Sequence, residues 1–203
     1  MSAQNNIDKI VLEIFGIDKT FVEAGGSHPQ DQNNTHLLEN HGWVGLVVEP
    51  KTDFNMMYKT YRSKTILENY VLVSNKYEYD EIDGDFSHYM VGGVFNNHLS
   101  GTWNPTKYKC TTLDTLLSKH NINEVHFLSL DVEGYENEVI EGINFDNTFI
   151  HLIVVEIHNF NGVPTNFDYL TNYGFEKVKS VGNNHHDFYM NIKSEFYEKS
   201  KTI

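Results

Sequence analysis

At 203 residues the chain is the size of one domain, read here as 1–203, with room for an elaborated insert. Hydrophobic residues at 39%, charged residues at 21% and 4 prolines exclude a disordered chain, a collagen-like repeat and a fibre. A formal net charge of −13 repels phosphate backbones and anionic lipid, so neutral or cationic small molecules are expected as partners rather than nucleic acid or membrane.

The first twenty residues are amphipathic and carry Asp8, Lys9, Glu13, Asp18 and Lys19, which is no signal-peptide core. No apolar run reaches the roughly 20 residues of a membrane span, and a soluble, cytoplasmic protein is expected. Thr20–Ala24 reads as a short strand ending at Gly25-Gly26. A helix over 33–41 follows, then a strand over 45–48 stopped by Glu49-Pro50. Phe54, Met57, Tyr58 and Tyr61 stand at helical spacing over 54–62, and 70–73 reads as the third strand, closing at Ser74.

Residues 76–110 break the alternation with the acids Glu78, Asp80, Glu81, Asp83 and Asp85, the pair Gly92-Gly93 and the aromatics Tyr77, Tyr79, Phe86, Tyr89, Phe95 and Trp103. About 35 residues cannot build an independent core, so the segment reads as an inserted β-rich flap. Beyond it come a helix over 112–120, with Thr111 and Asp114 as a weak capping box, and a strand over 125–130. A helix over 135–141 capped by Gly142, a strand over 151–155, a helical stretch over 166–172 and a closing pair over 176–181 and 187–192 complete the chain. Cys110 stands alone, so neither an intrachain disulfide nor a Cys-rich zinc site is available.

Strands alternating with helices indicate a Rossmann-like, doubly wound α/β fold: a mostly parallel seven-stranded sheet with a terminal antiparallel hairpin. Ligands bind such sheets at the carboxyl ends of the strands. Four predicted strands end at or just before an acid: Glu23, Glu49, Asp131 and Glu156. Glu23-Ala24-Gly25-Gly26 joins an acid to a turn whose glycines let a nucleotide approach the backbone. Glu49 stands where an acid would accept hydrogen bonds from both ribose hydroxyls. The two features indicate an adenosine-type cofactor, either nicotinamide dinucleotide or S-adenosylmethionine. The nicotinamide fingerprint needs three spaced glycines and only Gly25 and Gly26 are present, which disfavours an oxidoreductase.

Glu23-Ala-Gly-Gly, Asn34-Thr35, Leu38-Glu39, Gly42-Trp43, Val48-Glu49-Pro50 and Arg62 together resemble the first half of the FkbM-type S-adenosylmethionine-dependent methyltransferases. The block 129–136, reading Ser-Leu-Asp-Val-Glu-Gly-Tyr-Glu, with Val155-Glu156, Tyr173-Gly174-Phe175 and Asp187, is similar to the second half. The resemblance departs at Ser27–Gln30, where Pro29 has no N–H and cannot take a positive φ, so this turn would contact the cofactor differently. It implies transfer of a methyl group to oxygen, often on a sugar or glycan hydroxyl. Glu23, Gly25, Gly26, Asn34, Glu49 and Ser74 are the cofactor residues it implies, Ser74 by its place after the third strand.

A sugar hydroxyl is a weak acid and needs a general base or a cation. Asp131, Glu133 and His158 are the catalytic candidates, and Asp131 with Glu156 the candidate ligands for Mg²⁺ or Mn²⁺. Glu133 and Glu136 could instead bond loop amides. His158 and His186 fall on the same rim, whereas His41, His120, His126 and His151 read as ordinary surface or core residues. The alternative to an enzyme is a non-catalytic glycan-binding or nucleotide-binding module that kept the sheet.

Overall fold

The structure is a computed structural model that describes residues 3–87, 92–94, 103–160, 163–183 and 185–203. Helix α1 (Ile7–Phe15) precedes strand β1 (Thr20–Ala24), after which α2 (His36–Asn40), β2 (Val44–Val48), α3 (Asn55–Tyr61) and β3 (Thr65–Glu68) alternate. Strands β4 (Val71–Leu72), β5 (Glu81–Gly84) and β6 (Thr106–Thr111) form a second sheet. The chain then runs through α4 (Leu113–Lys119), β7 (Glu124–Leu130), α5 (Glu136–Glu141) and β8 (Phe149–Glu156). The small pair β9 (Asn159–Phe160) and β10 (Val163–Pro164), the strands β11 (Phe175–Val181) and β12 (His186–Asn191) and helix α6 (Tyr197–Ser200) close it.

The large sheet has seven strands in the order β11-β12-β8-β7-β1-β2-β3. The β3-β2-β1-β7-β8 part is parallel, while β12 pairs antiparallel with both β8 and β11. Strand direction alternates side chains between faces, so Phe21 and Val22, both fully buried, fall into different apolar clusters. One cluster packs Val22, Leu128 and Ile153 under α4 and α5; the other packs Phe21, Phe127 and Leu152 under α1, α2 and Trp43. Two buried faces explain the near-continuous apolar strands. The indole N–H of Trp43 donates to the Gly16 carbonyl at 2.9 Å, fastening α1 to the start of β2.

The third strand is not where the apolar run suggests. Thr65–Glu68 pairs with β2 at the sheet edge, and Val71–Leu72 pairs instead with Cys110–Thr111 of β6. An edge strand is only half covered, so Thr-Ile-Leu-Glu carries a weaker apolar signal than the buried Val71–Val73. The N-cap of α4 is likewise Thr112, whose hydroxyl accepts from the Thr115 amide at 3.2 Å, one residue beyond the expected capping box. The segment 166–172 contributes the short 3₁₀ turn Asp168–Tyr173 rather than an α-helix.

In the 76–110 segment, β5 and β6 pair antiparallel beside β4. Val71, Val73, Ile82, Cys110 and Tyr135 form a small third core beneath them. Asp85 is buried and accepts from the amides of Ser87 and Asn104 at 3.0 Å each, so this member of the acidic run anchors a loop. Tyr89 and Phe95 lie outside the described residues. Among the described residues no helix is long and apolar enough to cross a membrane.

Candidate active site

After β3 the chain crosses to the far side of β1, so the reversal of strand order falls between β1 and β7. Strand ends diverge there and leave a crevice. The carboxyl ends of β1, β2, β7 and β8 surround a cavity of about 410 Å³, walled on one side by Tyr70, Val71 and Leu72 and by Gly92–Val94. Glu23, Gly25, Gly26, Asn34, Glu49, Asp131, Glu133 and Glu156 all line it. Ser74 is not among the lining residues; its carbonyl accepts the Tyr77 amide at 3.1 Å in a turn. Since the third strand ends at Glu68, the place expected of Ser74 belongs to Asn69 and Tyr70. His158 also stands back from the cavity, behind Glu156.

Glu23 is fully enclosed and its carboxylate is engaged on both oxygens. It accepts from the Asn34 amide at 2.9 Å, the Asn33 side-chain amide at 2.9 Å and the Thr35 hydroxyl at 2.8 Å. Burial raises its pKa, against the opposing pull of the Arg62 charge and these donors. Arg62 is 1% exposed and locks the same loop. Its guanidinium donates to Glu39 at 2.5 Å, the Asn33 side-chain Oδ1 at 2.8 Å, the Thr35 hydroxyl at 2.8 Å and the Pro29 backbone carbonyl at 3.1 Å. A planar fork with five donors is suited to such a buried junction.

The glycine turn works differently from the expected cradle. The amides of Gly25 and Gly26 both point back to the Val48 carbonyl, at 3.0 and 3.4 Å, and are not turned toward a ligand. The positive φ falls on Gly25 and on Ser27, at +81° and +42°, so Pro29 is spared it. Ser27 donates its amide to Glu49 at 2.8 Å, and Lys51 does the same at 2.9 Å. These bonds aim the Glu49 carboxylate, whose pKa is raised by burial. Two buried acceptors lining the cavity, Asn34 Oδ1 and Ser27 Oγ, have no hydrogen-bond partner. Such atoms cost about 1–3 kcal/mol each unless a ligand satisfies them. The donor set around them fits the polar end of a nucleoside-type cofactor.

A second group of charges lies across the cavity. Glu136 accepts from the amides of Val132 and Gly134 at 3.1 Å each, and so shapes the 131–135 loop as one of the two expected roles. His158 Nε2 lies 3.2 Å from both Glu136 and Glu156. Burial alone would lower its pKa, but these two carboxylates push it up to about 10. Burial, then the neighbouring Glu156 carboxylate, raises the Asp131 pKa well above its ordinary value. Burial also opposes ionisation of Glu156, yet His158 and Asp131 hold its pKa low. Glu133, on a left-handed turn with φ +56°, is pushed up to about 7 by burial and then by the Glu156 charge.

The family model for the methyltransferase FkbM domain matches residues 22–177. The chain belongs to that family. The match runs from β1 into β11, so every strand end of the cavity lies inside it. Membership makes the chain a methyltransferase by family and S-adenosylmethionine the cofactor the family implies. A comparison with curated proteins finds no match. Sequence reasoning missed Ser27 and Tyr70 of this FkbM domain, and Gln4 ahead of it, as lining residues. The glycine turn could have indicated Ser27. Gln4 arrives from the amino-terminal segment and carries no local signal.

Proposed function

We propose that the protein is an S-adenosylmethionine-dependent O-methyltransferase acting on a hydroxyl of a sugar or glycan. The observation that carries the reading is the arrangement of one cavity: Glu49 and the unpartnered acceptors of Asn34 and Ser27 on one side, Asp131 and Glu133 on the other. Bound S-adenosylmethionine supplies an electrophilic methyl group on a positively charged sulfonium. Glu49 would grip the ribose hydroxyls, and the Asn34 carbonyl oxygen would accept from the amino end of the cofactor. Glu23 acts one step back, holding the Asn33–Thr35 loop in place. The acidic lining favours a cationic cofactor and does not repel a neutral glycan.

Methyl transfer is an in-line displacement, so the chain's main task is to hold the acceptor oxygen in line. Glu133 is the proposed base: it lines the cavity, and a carboxyl poised near neutrality takes up a proton best. Asp131 and Glu156 bring the negative charge that a divalent cation would need. His158, cationic between Glu136 and Glu156, is assigned a positioning role on Glu156 rather than that of the base.

The deciding experiment incubates the protein with labelled S-adenosylmethionine and a panel of mono- and oligosaccharides, with products read by mass spectrometry. Label on a sugar oxygen is expected. Calorimetry with S-adenosylmethionine, S-adenosylhomocysteine and NAD separates the rival classes, because a glycan-binding module would bind none of them.

A further inference from the structure

Among the described residues, three groups of histidine and carboxylate side chains bring ligand atoms within 4.8 Å of one another: Glu124-His126-His151, Glu133-Glu156-His158 and Asp131-Glu156-His186. A cation needs from each imidazole a lone pair in the ring plane that nothing else engages. The first group fails on direction. His126 and His151 are stacked with centroids 4.6 Å apart and planes 7° from parallel, so their in-plane lone pairs do not converge. The second fails on availability, since His158 Nε2 already lies between Glu136 and Glu156.

The third group passes the test of availability. His186 is 2% exposed, and its Nε2 has no hydrogen-bond partner. Its Nδ1 lies 3.2 Å from the side-chain amide of Asn5. His186 is the register partner of Glu156 across the β12–β8 pair, which fixes it beside that carboxylate. Asp131 and Glu156 are neighbouring, half-buried carboxylates whose like charges repel unless a proton or a cation lies between them. Ligands about 2.1 Å from one ion stand roughly 3–4 Å apart, so a small side-chain rotation closes the site.

We propose that Asp131, Glu156 and His186 bind a divalent first-row transition ion beside the methyl-transfer cavity. Two carboxylates alone would suit Mg²⁺, but an imidazole nitrogen shifts the preference toward Mn²⁺ and its heavier neighbours. Asn5 completes the arrangement as an outer partner. With its carbonyl turned to Nδ1 it accepts that N–H and leaves the lone pair on Nε2, the usual way a ligating histidine is oriented. Asp131 and Glu156 line the cavity, so the ion would stand where the proposed acceptor hydroxyl is activated. The inference shares that site with the proposed methyl transfer, while ion binding itself needs no acceptor.

The test titrates chelator-stripped, full-length protein with MnCl₂ and follows bound Mn²⁺ by electron paramagnetic resonance. One ion per chain is expected, with nitrogen coupling from the imidazole in pulsed spectra and much weaker competition by MgCl₂. His186→Leu should lower affinity at least about 100-fold and remove the nitrogen coupling. Asn5→Leu should lower affinity about 10–100-fold and keep it. His126→Gln, at the other end of the strands, should change neither. Absence of stoichiometric binding, binding without nitrogen coupling in the native protein, or sensitivity to His126→Gln overturns the site. Native spectra decide the matter even if His186→Leu fails to fold. Calorimetry with S-adenosylmethionine on the same samples keeps the two readings apart. Cofactor binding without Mn²⁺ binding defeats the ion site alone, and Mn²⁺ binding without cofactor binding defeats methyl transfer alone.

Discussion

Gly25 stands against the backbone carbonyl of Asp131, so closely that a Cβ at residue 25 would lie 1.7 Å from that oxygen. With φ at +81° as well, the position admits no side chain. Gly25→Ala should cost at least about 2 kcal/mol, adding overpacking to left-handed strain. Gly174 is the control: its φ of +83° and ψ of 23° are left-handed helical, and the nearest atom to a Cβ there is Asn191 Oδ1 at 4.0 Å, so Gly174→Ala should cost only about 1 kcal/mol. Urea denaturation of both variants measures the difference, and equal losses would show that the contact with Asp131 is not what selects glycine.

Glu49→Ala should weaken S-adenosylmethionine binding by about 1–3 kcal/mol. The loss would combine the ribose contact with release of the Ser27 and Lys51 amides, which Glu49 orients. Calorimetry on the folded variant checks it, and unchanged affinity would remove Glu49 from the cofactor site.

Glu133→Gln preserves volume and removes the proposed base. Turnover should fall by about 10²–10⁴-fold with cofactor affinity nearly unchanged. Equal losses in binding and turnover would make Glu133 a cofactor ligand instead.

The sheet was legible because its strands are buried on both faces and read as continuous apolar runs. Six of its seven strands followed, the closing antiparallel pair from the tight link between its members. The edge strand Thr65–Glu68 was not legible, because half-covered residues show neither a continuous run nor clean alternation. That one displacement puts Asn69 and Tyr70, rather than Ser74, after the third strand. In the site, acids at strand ends were visible because a sheet has to present them on one rim. Their division of labour was not visible: Glu136 bonding amides and Glu133 standing apart depend on the 131–135 turn, which no spacing rule encodes.

Arg62→Met should destabilise the protein by about 3–5 kcal/mol, since Glu39 would be left as a buried charge without its partner. Chemical denaturation measures this. Arg62→Lys should recover little of it, because an ammonium cannot reach Glu39, Asn33, Thr35 and Pro29 together.

Burial, followed by the charge of its stacked neighbour His151, depresses the His126 pKa from 6.5 to about 4. The unfolded chain therefore takes up a proton below about pH 6.5, where the folded chain still refuses it. This contribution to stability is complete above that pH and is lost as pH falls toward 4, by at most about 3 kcal/mol. Melting temperatures at pH 7.5 and pH 5 should separate less in His126→Gln than in the native protein. An identical separation would show that His126 titrates normally.

Asn69 and Tyr70 alone join the edge of the large sheet to β4 of the small one. Three Cα steps span at most about 11 Å, and Asn69 is pinned further by bonds to the Glu49 carbonyl at 2.8 Å and to Asn55. This wall of the cavity is therefore carried on a short, stiff arm, and its distance from Glu49 cannot widen by hinge motion. The width of that side is set by the bulk of residues 70–72. A wider acceptor would be admitted by trimming Tyr70 or Leu72, whereas lengthening the arm would loosen the grip on the cofactor along with the wall.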